Sequence, residues 1–299
     1  MKRTITILTG LVFFTLVSCH NAPKNSPKKS SEKIVFASIL PLQYFTDQIT
    51  GSLYTSQVMV PPGVGPETYN PTPRQMGDMA RARAFFANGY LGFEEAFLTK
   101  FQSINPDLAF INTSTGIDLI HSEILSHGGH VHEKGVDPHT WSTPAGAKII
   151  AKNIFEGMVK IDPANRPHFQ TNLDRLITKI DSVDGVIEVI LNNIPSRKFM
   201  VFHPALGYFA RQYHLEQLSI EFEGKIPTPK HIQDIVLQAK DLKIANILIQ
   251  REFDVENAEI IARETGSKVI QIDPLAYDWP NEMISLARKL AAINPVSNN

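Results

Sequence analysis

The chain has a single cysteine, Cys19, among 299 residues. One thiol rules out an internal disulfide and any CxxC zinc or redox motif. Long apolar runs are missing too. The richest stretch, from Ile5 to Val17, is interrupted by threonines and a glycine. It falls short of the roughly 20 apolar residues that a membrane-spanning helix needs. No charge of one sign dominates: 29 Lys and Arg stand against 30 Asp and Glu, for a net charge of −1. That balance supplies no basic face for nucleic acid. Neither HExxH nor a GxSxG nucleophile elbow occurs, which argues against a zinc protease or a serine hydrolase.

What is present begins with "MKRTITILTGLVFFTLVSC". Lys2 and Arg3 form a charged start, and a short apolar segment follows, the pattern of a secretory leader. "LVSC" resembles a bacterial lipobox, so residues 1–19 are expected to be a lipoprotein signal peptide ending at a lipidated Cys19. Residues 20–33, "HNAPKNSPKKSSEK", carry no apolar side chain larger than alanine or proline. They cannot bury enough surface to fold and are expected to be a flexible tether. About 265 residues remain, enough for one large or two modest domains.

Strand-like and helix-like runs alternate through this body. "KIVFASILP", "YTSQVMVP", "AFFANG" and "LAFINTS" are β-branched or aromatic. They are separated by helical patterns such as "TPRQMGDMARA", where Thr72 is placed to cap and Pro73 to open the first turn. This βαβα rhythm predicts parallel sheets covered by helices. It spans residues 34–161 and restarts over 195–299. Between them, residues 162–194 predict one helix longer than about 40 Å, with only Gly185 interrupting it and apolar residues at Leu173, Leu176, Ile177, Ile180, Val183, Val186 and Ile187. The expected fold is therefore α/β: two lobes, each a parallel sheet flanked by helices, joined by a long rigid helix. No short sequence repeat is visible.

Parallel sheets bind ligands beyond the carboxyl ends of their strands. Four polar residues fall at such ends: Glu67 in "PPGVGPETYNPTP", His139 in "DPHTW", His203 after "KFMVFHP", and Asp273 after "KVIQIDP". Two imidazoles and two carboxylates, two from each lobe, suit a divalent transition metal.

The motifs "PPGVGPETYNPTPRQM", "VDPHTW", "VFHPALGYFARQYHL", "ILIQREF" and "ETGSKVIQIDPL", together with the lipobox, closely resemble the metal-binding lipoproteins of ABC transporters for zinc and manganese. The resemblance covers nearly the whole chain after the leader. It implies a high-affinity receptor, not an enzyme, that captures an ion between two lobes outside the cytoplasm and hands it to a membrane permease. By motif, it puts the ligands on Glu67, His139, His203 and Asp273. One position departs: Glu67 stands where the family usually has histidine. Zinc-type members usually present three histidines and a carboxylate. Manganese-type members present two of each, with the extra carboxylate where this chain keeps His203. Zinc is the expected cargo, with manganese or ferrous iron as the alternative. The expected partners are an ABC permease and a bilayer holding the acylated Cys19, either periplasmic or at the cell surface, with the chain monomeric and nucleic acid not involved.

His121, His127, His130 and His132 lie in "HSEILSHGGHVHEKG" and resemble an abbreviated form of the His-rich loop of zinc-type members. Gly128 and Gly129 disfavour one rigid geometry. The expectation is a weak secondary metal site, against a solvated loop without a role. Gln250 is expected either to orient a ligand or to serve as a structural amide. Tyr69, Trp141 and Tyr208 are expected to line the site or to pack the core. Two rivals remain from other classes. A secreted metallohydrolase would use Glu67 as a base, and an adhesin would bind a host ligand.

Overall fold

All four residues of the first strand, β1 (Ile34–Ala37), are buried, because strands pair with it on both sides. The computed structural model describes residues 33–293, apart from 68, 122–134, 195, 222–227, 245 and 254. The leader with Cys19, and His127, His130 and His132, lie outside the described residues. In the first half β1 pairs in parallel with β2 (Thr55–Val58) and β3 (Ala84–Ala87), and β3 with β4 (Ala109–Asn112), giving the order β2-β1-β3-β4. The second half contains β5 (Lys198–Val201), β6 (Glu216–Ser219), β7 (Asn246–Gln250) and β8 (Lys268–Ile272) in the order β6-β5-β7-β8. The two sheets thus share one topology although their sequences show no repeat. Strands β3 and β7 are buried throughout and read as apolar runs ("AFFA", and the "ILI" of "NILIQ" between Asn246 and Gln250), whereas the edge strands β2 ("TSQV") and β6 ("EQLS") are polar and partly exposed.

The helices carry the expected start and stop chemistry. In α2 (Pro73–Met79), Thr72 and Gln75 form a capping box with Pro in the first turn. The first half also holds α1 (Leu40–Thr50), α3 (Gly92–Ile104) and α4 (Pro144–Ile161), and the second α6 (Gly207–Gln212), α7 (Pro229–Asp241), α8 (Glu256–Thr265) and α9 (Trp279–Ile293). Helix α8 ends at Gly266 with φ 72°, the left-handed cap glycine favours.

The linking helix α5 (Arg166–Leu191) is shorter than the sequence predicts. Asp162 is not helical, and a 3-10 turn occupies Pro163–Asn165. The Asp162 carboxylate instead collects Lys33, Tyr54 and Asn165. The 26 residues that follow span about 39 Å. The helix runs through Gly185 without a break, and an added side chain there would meet open space. Its buried stripe is Phe169, Leu173, Leu176, Ile180, Val183, Ile187 and Leu191, while Val186 faces solvent. Helix α5 packs on α1 and α4 of the first half and on α9 of the second. One continuous core therefore runs through both lobes, from Phe45 and Ile154 through Ile180 to Trp279 and Leu286. A second cluster around Met200, Ile247 and Ile261 fills the other side of the second sheet. Two indoles stitch the lobes together: Trp141 donates to the Pro274 carbonyl at 2.9 Å, and Trp279 to the Trp141 carbonyl at 2.7 Å.

Candidate metal centre

In the second lobe the strand order reverses between β5 and β7, which opens a crevice at their carboxyl ends. His203 sits two residues past β5. The last residue of β7, Gln250, grips its backbone from both sides. The His203 N–H donates to the Gln250 amide oxygen at 3.3 Å, and the Gln250 amide nitrogen donates to the His203 carbonyl at 2.6 Å. The ring is fixed as well. Its Nδ1 lies 2.6 Å from the Glu221 carboxylate, and Phe253 stacks on its face at 5.0 Å. Glu221 is itself buried, two residues past β6.

In the first lobe His139 comes after β4 in the chain and is buried. Asn88, just past β3 and fully buried, donates to the Pro138 carbonyl and the Thr140 hydroxyl, both at 2.9 Å, holding the loop on either side of the histidine. The Asp137 carboxylate takes the His139 N–H at 2.9 Å and lies 2.8 Å from its Nδ1. Tyr208 reaches across from the second lobe and donates to the Asp137 carbonyl at 2.8 Å. Asp137 can approach this closely because residue 207 is glycine: a Cβ there would stand 2.7 Å from its carboxylate.

Each ring thus turns its Nδ1 to a carboxylate and its Nε2 to the cleft. The two Nε2 atoms stand 3.3 Å apart, and Glu67 brings a carboxylate oxygen to 3.8 Å from that of His203. The three ligand atoms lie within 4.8 Å of one another. With Nδ1–H given to a carboxylate, Nε2 carries the lone pair. Two lone pairs aimed at each other repel unless a proton or a metal ion sits between them. Their separation matches a tetrahedral edge for zinc–nitrogen bonds of 2.0–2.1 Å, roughly 3.3 Å. The cluster lines a cavity of about 30 Å³, room for a small guest of the size of water or an ion, and the same three residues also line a larger cleft of about 980 Å³.

Asp273 is not part of this cluster. Its N–H donates to Glu282, its carboxylate accepts from Arg251 at 3.0 Å, and it lines a neighbouring cavity beside Ile39 and Leu40. Gln250 bonds the His203 backbone, as above. Trp141 lines the ion-sized cavity with its ring 5.3 Å from His139. Tyr69 lines the larger cleft and donates to Gln75. Tyr208 is buried and acts on the site through Asp137. His121 is exposed and bridges to Val136.

Three residues escaped the sequence reading. Asp137 and Glu221 back the two imidazoles, and Glu252 lines the same cavity as the cluster. Burial pushes the Glu252 carboxyl above its usual range, and the negative charge of Asp273 adds to the rise. Its Oε1 is buried, with no hydrogen-bond partner among the described residues. The signal was available. Glu221 and Glu252 each stand two residues beyond a parallel strand, the rule that picked out His203.

Two α/β lobes on a shared helix, with imidazoles and a carboxylate meeting between them at strand ends, define a bilobal metal-binding receptor. Residues 35–292 match the family of the periplasmic component A of zinc-uptake complexes, and the chain belongs to that family of ABC-transporter substrate-binding proteins, which are receptors, not enzymes. It is 26% identical over 274 residues to the high-affinity zinc uptake system protein ZnuA of Bacillus subtilis, covering 88% of this chain and 85% of that protein. It is equally 26% identical, over 283 residues, to the manganese ABC transporter substrate-binding lipoprotein PsaA of Streptococcus anginosus, covering 89% and 87%. A crystal structure of a ZnuA superposes with a TM-score of 0.83 at 32% identity, covering 88% of this chain and all of that one.

Proposed function

We propose that this chain is an extracytoplasmic receptor, anchored by a lipid on Cys19, that captures zinc between its lobes and delivers it to an ABC-type permease as a monomer. Glu67, His139 and His203 form the core of the ion site. The observation that carries the reading is the pair of Nε2 atoms 3.3 Å apart, each with its Nδ1 against a buried or half-buried carboxylate. That spacing supports a tetrahedral ion. Imidazole suits zinc better than manganese, and intrinsic affinity orders the two metals the same way. The carboxylates behind the rings fix their orientation and raise their basicity. Capture needs unprotonated imidazole, so affinity falls on acidification. The indole bonds and the helix shared by the lobes favour release by rearrangement of loops over wide hinge opening.

Elemental analysis of protein purified without added metal, paired with competition titrations of zinc against manganese, tests the proposal. Zinc at one ion per chain, abolished in His139→Ala and His203→Ala, is the expected result. Manganese that zinc fails to displace would refute the zinc assignment. Glu67→His, run alongside, is expected to keep zinc and weaken manganese.

A further inference from the structure

The cluster described so far offers three donors, and a closed tetrahedral site needs four. We infer that Glu252, not Asp273, supplies the fourth donor to the ion held by Glu67, His139 and His203; this rests on the receptor reading above. Three observations carry it. First, Glu252 lines both the ion-sized cavity and the larger cleft, each of which also contains all three donors, whereas Asp273 lines neither and borders a separate cavity. Second, the two carboxylates differ in what they already hold. Asp273 is engaged by Arg251, but the buried Oε1 of Glu252 has no hydrogen-bond partner among the described residues. An unsatisfied buried acceptor is costly, and a cation at the mouth of the cavity would satisfy it. Third, the turn carrying Glu252 is fixed against the site. Phe253 stacks on the His203 ring, and its N–H donates to the Gln250 carbonyl at 3.3 Å.

The Glu252 oxygens do not belong to the group of three that meets within 4.8 Å. Ligation therefore requires a change of side-chain rotamer, which glutamate's torsions allow while the backbone stays pinned. Asp273 would instead have to leave Arg251 and turn from one cavity into another. The resulting donor set is two imidazoles from different lobes, a carboxylate from the loop after β2, and a carboxylate from the turn after β7. Charge favours it too: a dication between Glu67 and Glu252 offsets the repulsion that Asp273 exerts on a buried Glu252 carboxylate.

The test compares Glu252→Gln, Glu252→Leu and Asp273→Asn with His203→Ala. Zinc affinity is measured by competition with a chromophoric chelator, and the donor count by X-ray absorption of the zinc form. Glu252→Leu is expected to weaken zinc by about 100-fold or more, beyond the 10–100-fold typical of outer partners, with one oxygen lost from the coordination shell. Glu252→Gln should fall between it and wild type. Asp273→Asn should stay within about threefold of wild type, less than the smallest effect expected of an outer partner. The melting temperature of metal-free Glu252→Gln should not fall, because an amide removes a buried charge; this separates ligation from a folding role. Zinc binding that survives Glu252→Leu while Asp273→Asn loses it would overturn the inference alone. Zinc binding that also survives His203→Ala would overturn the receptor site itself.

Discussion

Replacing Glu221 with alanine removes the acceptor behind His203 without touching the Nε2 edge turned to the cleft. The bond is short, 2.6 Å, and the Glu221 side chain is only 8% exposed, so water cannot readily take over its role. A hydrogen bond to a buried charged group is worth about 1.5–3 kcal/mol. Part of that is lost to both the free and the ion-bound protein, since the ring stays stacked on Phe253 and its backbone stays clamped by Gln250. The part specific to the bound state is the extra basicity that a carboxylate lends to a ligating imidazole, typically 10–100-fold in affinity, or about 1.4–2.8 kcal/mol. Glu221→Gln keeps an acceptor but loses the charge, so its loss should be the smaller of the two. The assay is zinc competition against a chelator of known affinity, with the melting temperature of the metal-free protein as the folding control. A folded Glu221→Ala protein that binds zinc within twofold of wild type would show that the carboxylate does not tune the ligand, and the assignment of Nε2 as the donor would lose its basis.

Gly207→Ala forces a Cβ to within 2.7 Å of the Asp137 carboxylate, which must then move off His139; about tenfold weaker zinc binding is expected by the same competition assay. Trp279→Phe keeps an aromatic ring against Phe45 but strands the buried Trp141 carbonyl, costing about 1–3 kcal/mol, and calorimetry should record a melting temperature several degrees lower. Burial, aided by the bond to Asp162, raises the Tyr54 hydroxyl to about 12. The folded chain then holds that proton where the unfolded chain releases it near 10, so its contribution is complete below pH 10 and is lost as the pH rises from 10 to 12. Denaturation of Tyr54→Phe followed across that window should show a flatter alkaline decline than wild type.

Much of the architecture was legible because it is written in local periodicity. "AFFA" between turn signals can only be a strand buried on both faces, and Thr72-Pro73 with Gln75 announces a helix start before any packing is considered. Proline at 163 and 167 carried the signal that the linking helix begins late, but the apolar stripe from Leu173 onward outweighed it in the reading of 162–194. The two histidines could be found because each lies beyond the carboxyl end of a parallel strand, where side chains must face the crevice. The same rule applied to Asp273 located a strand end correctly but not the direction of the side chain, which Arg251 and a second cavity draw elsewhere.

The order of amino acids alone therefore determined the strands, the helices, the parallel sheets and the pair of imidazoles, because each depends on neighbours a few positions away or on a rule about strand ends. Only the folded chain decided that both lobes share one strand order, that Asp137 and Glu221 stand behind the rings, and that Glu67 and Glu252 face the same cavity. Asp137 lies only two positions from His139 and Glu221 only 18 from His203, but which way their side chains turn depends on packing that no linear pattern states. The meeting of Glu67 with Glu252 across one cavity is set by how the lobes close on the shared helix.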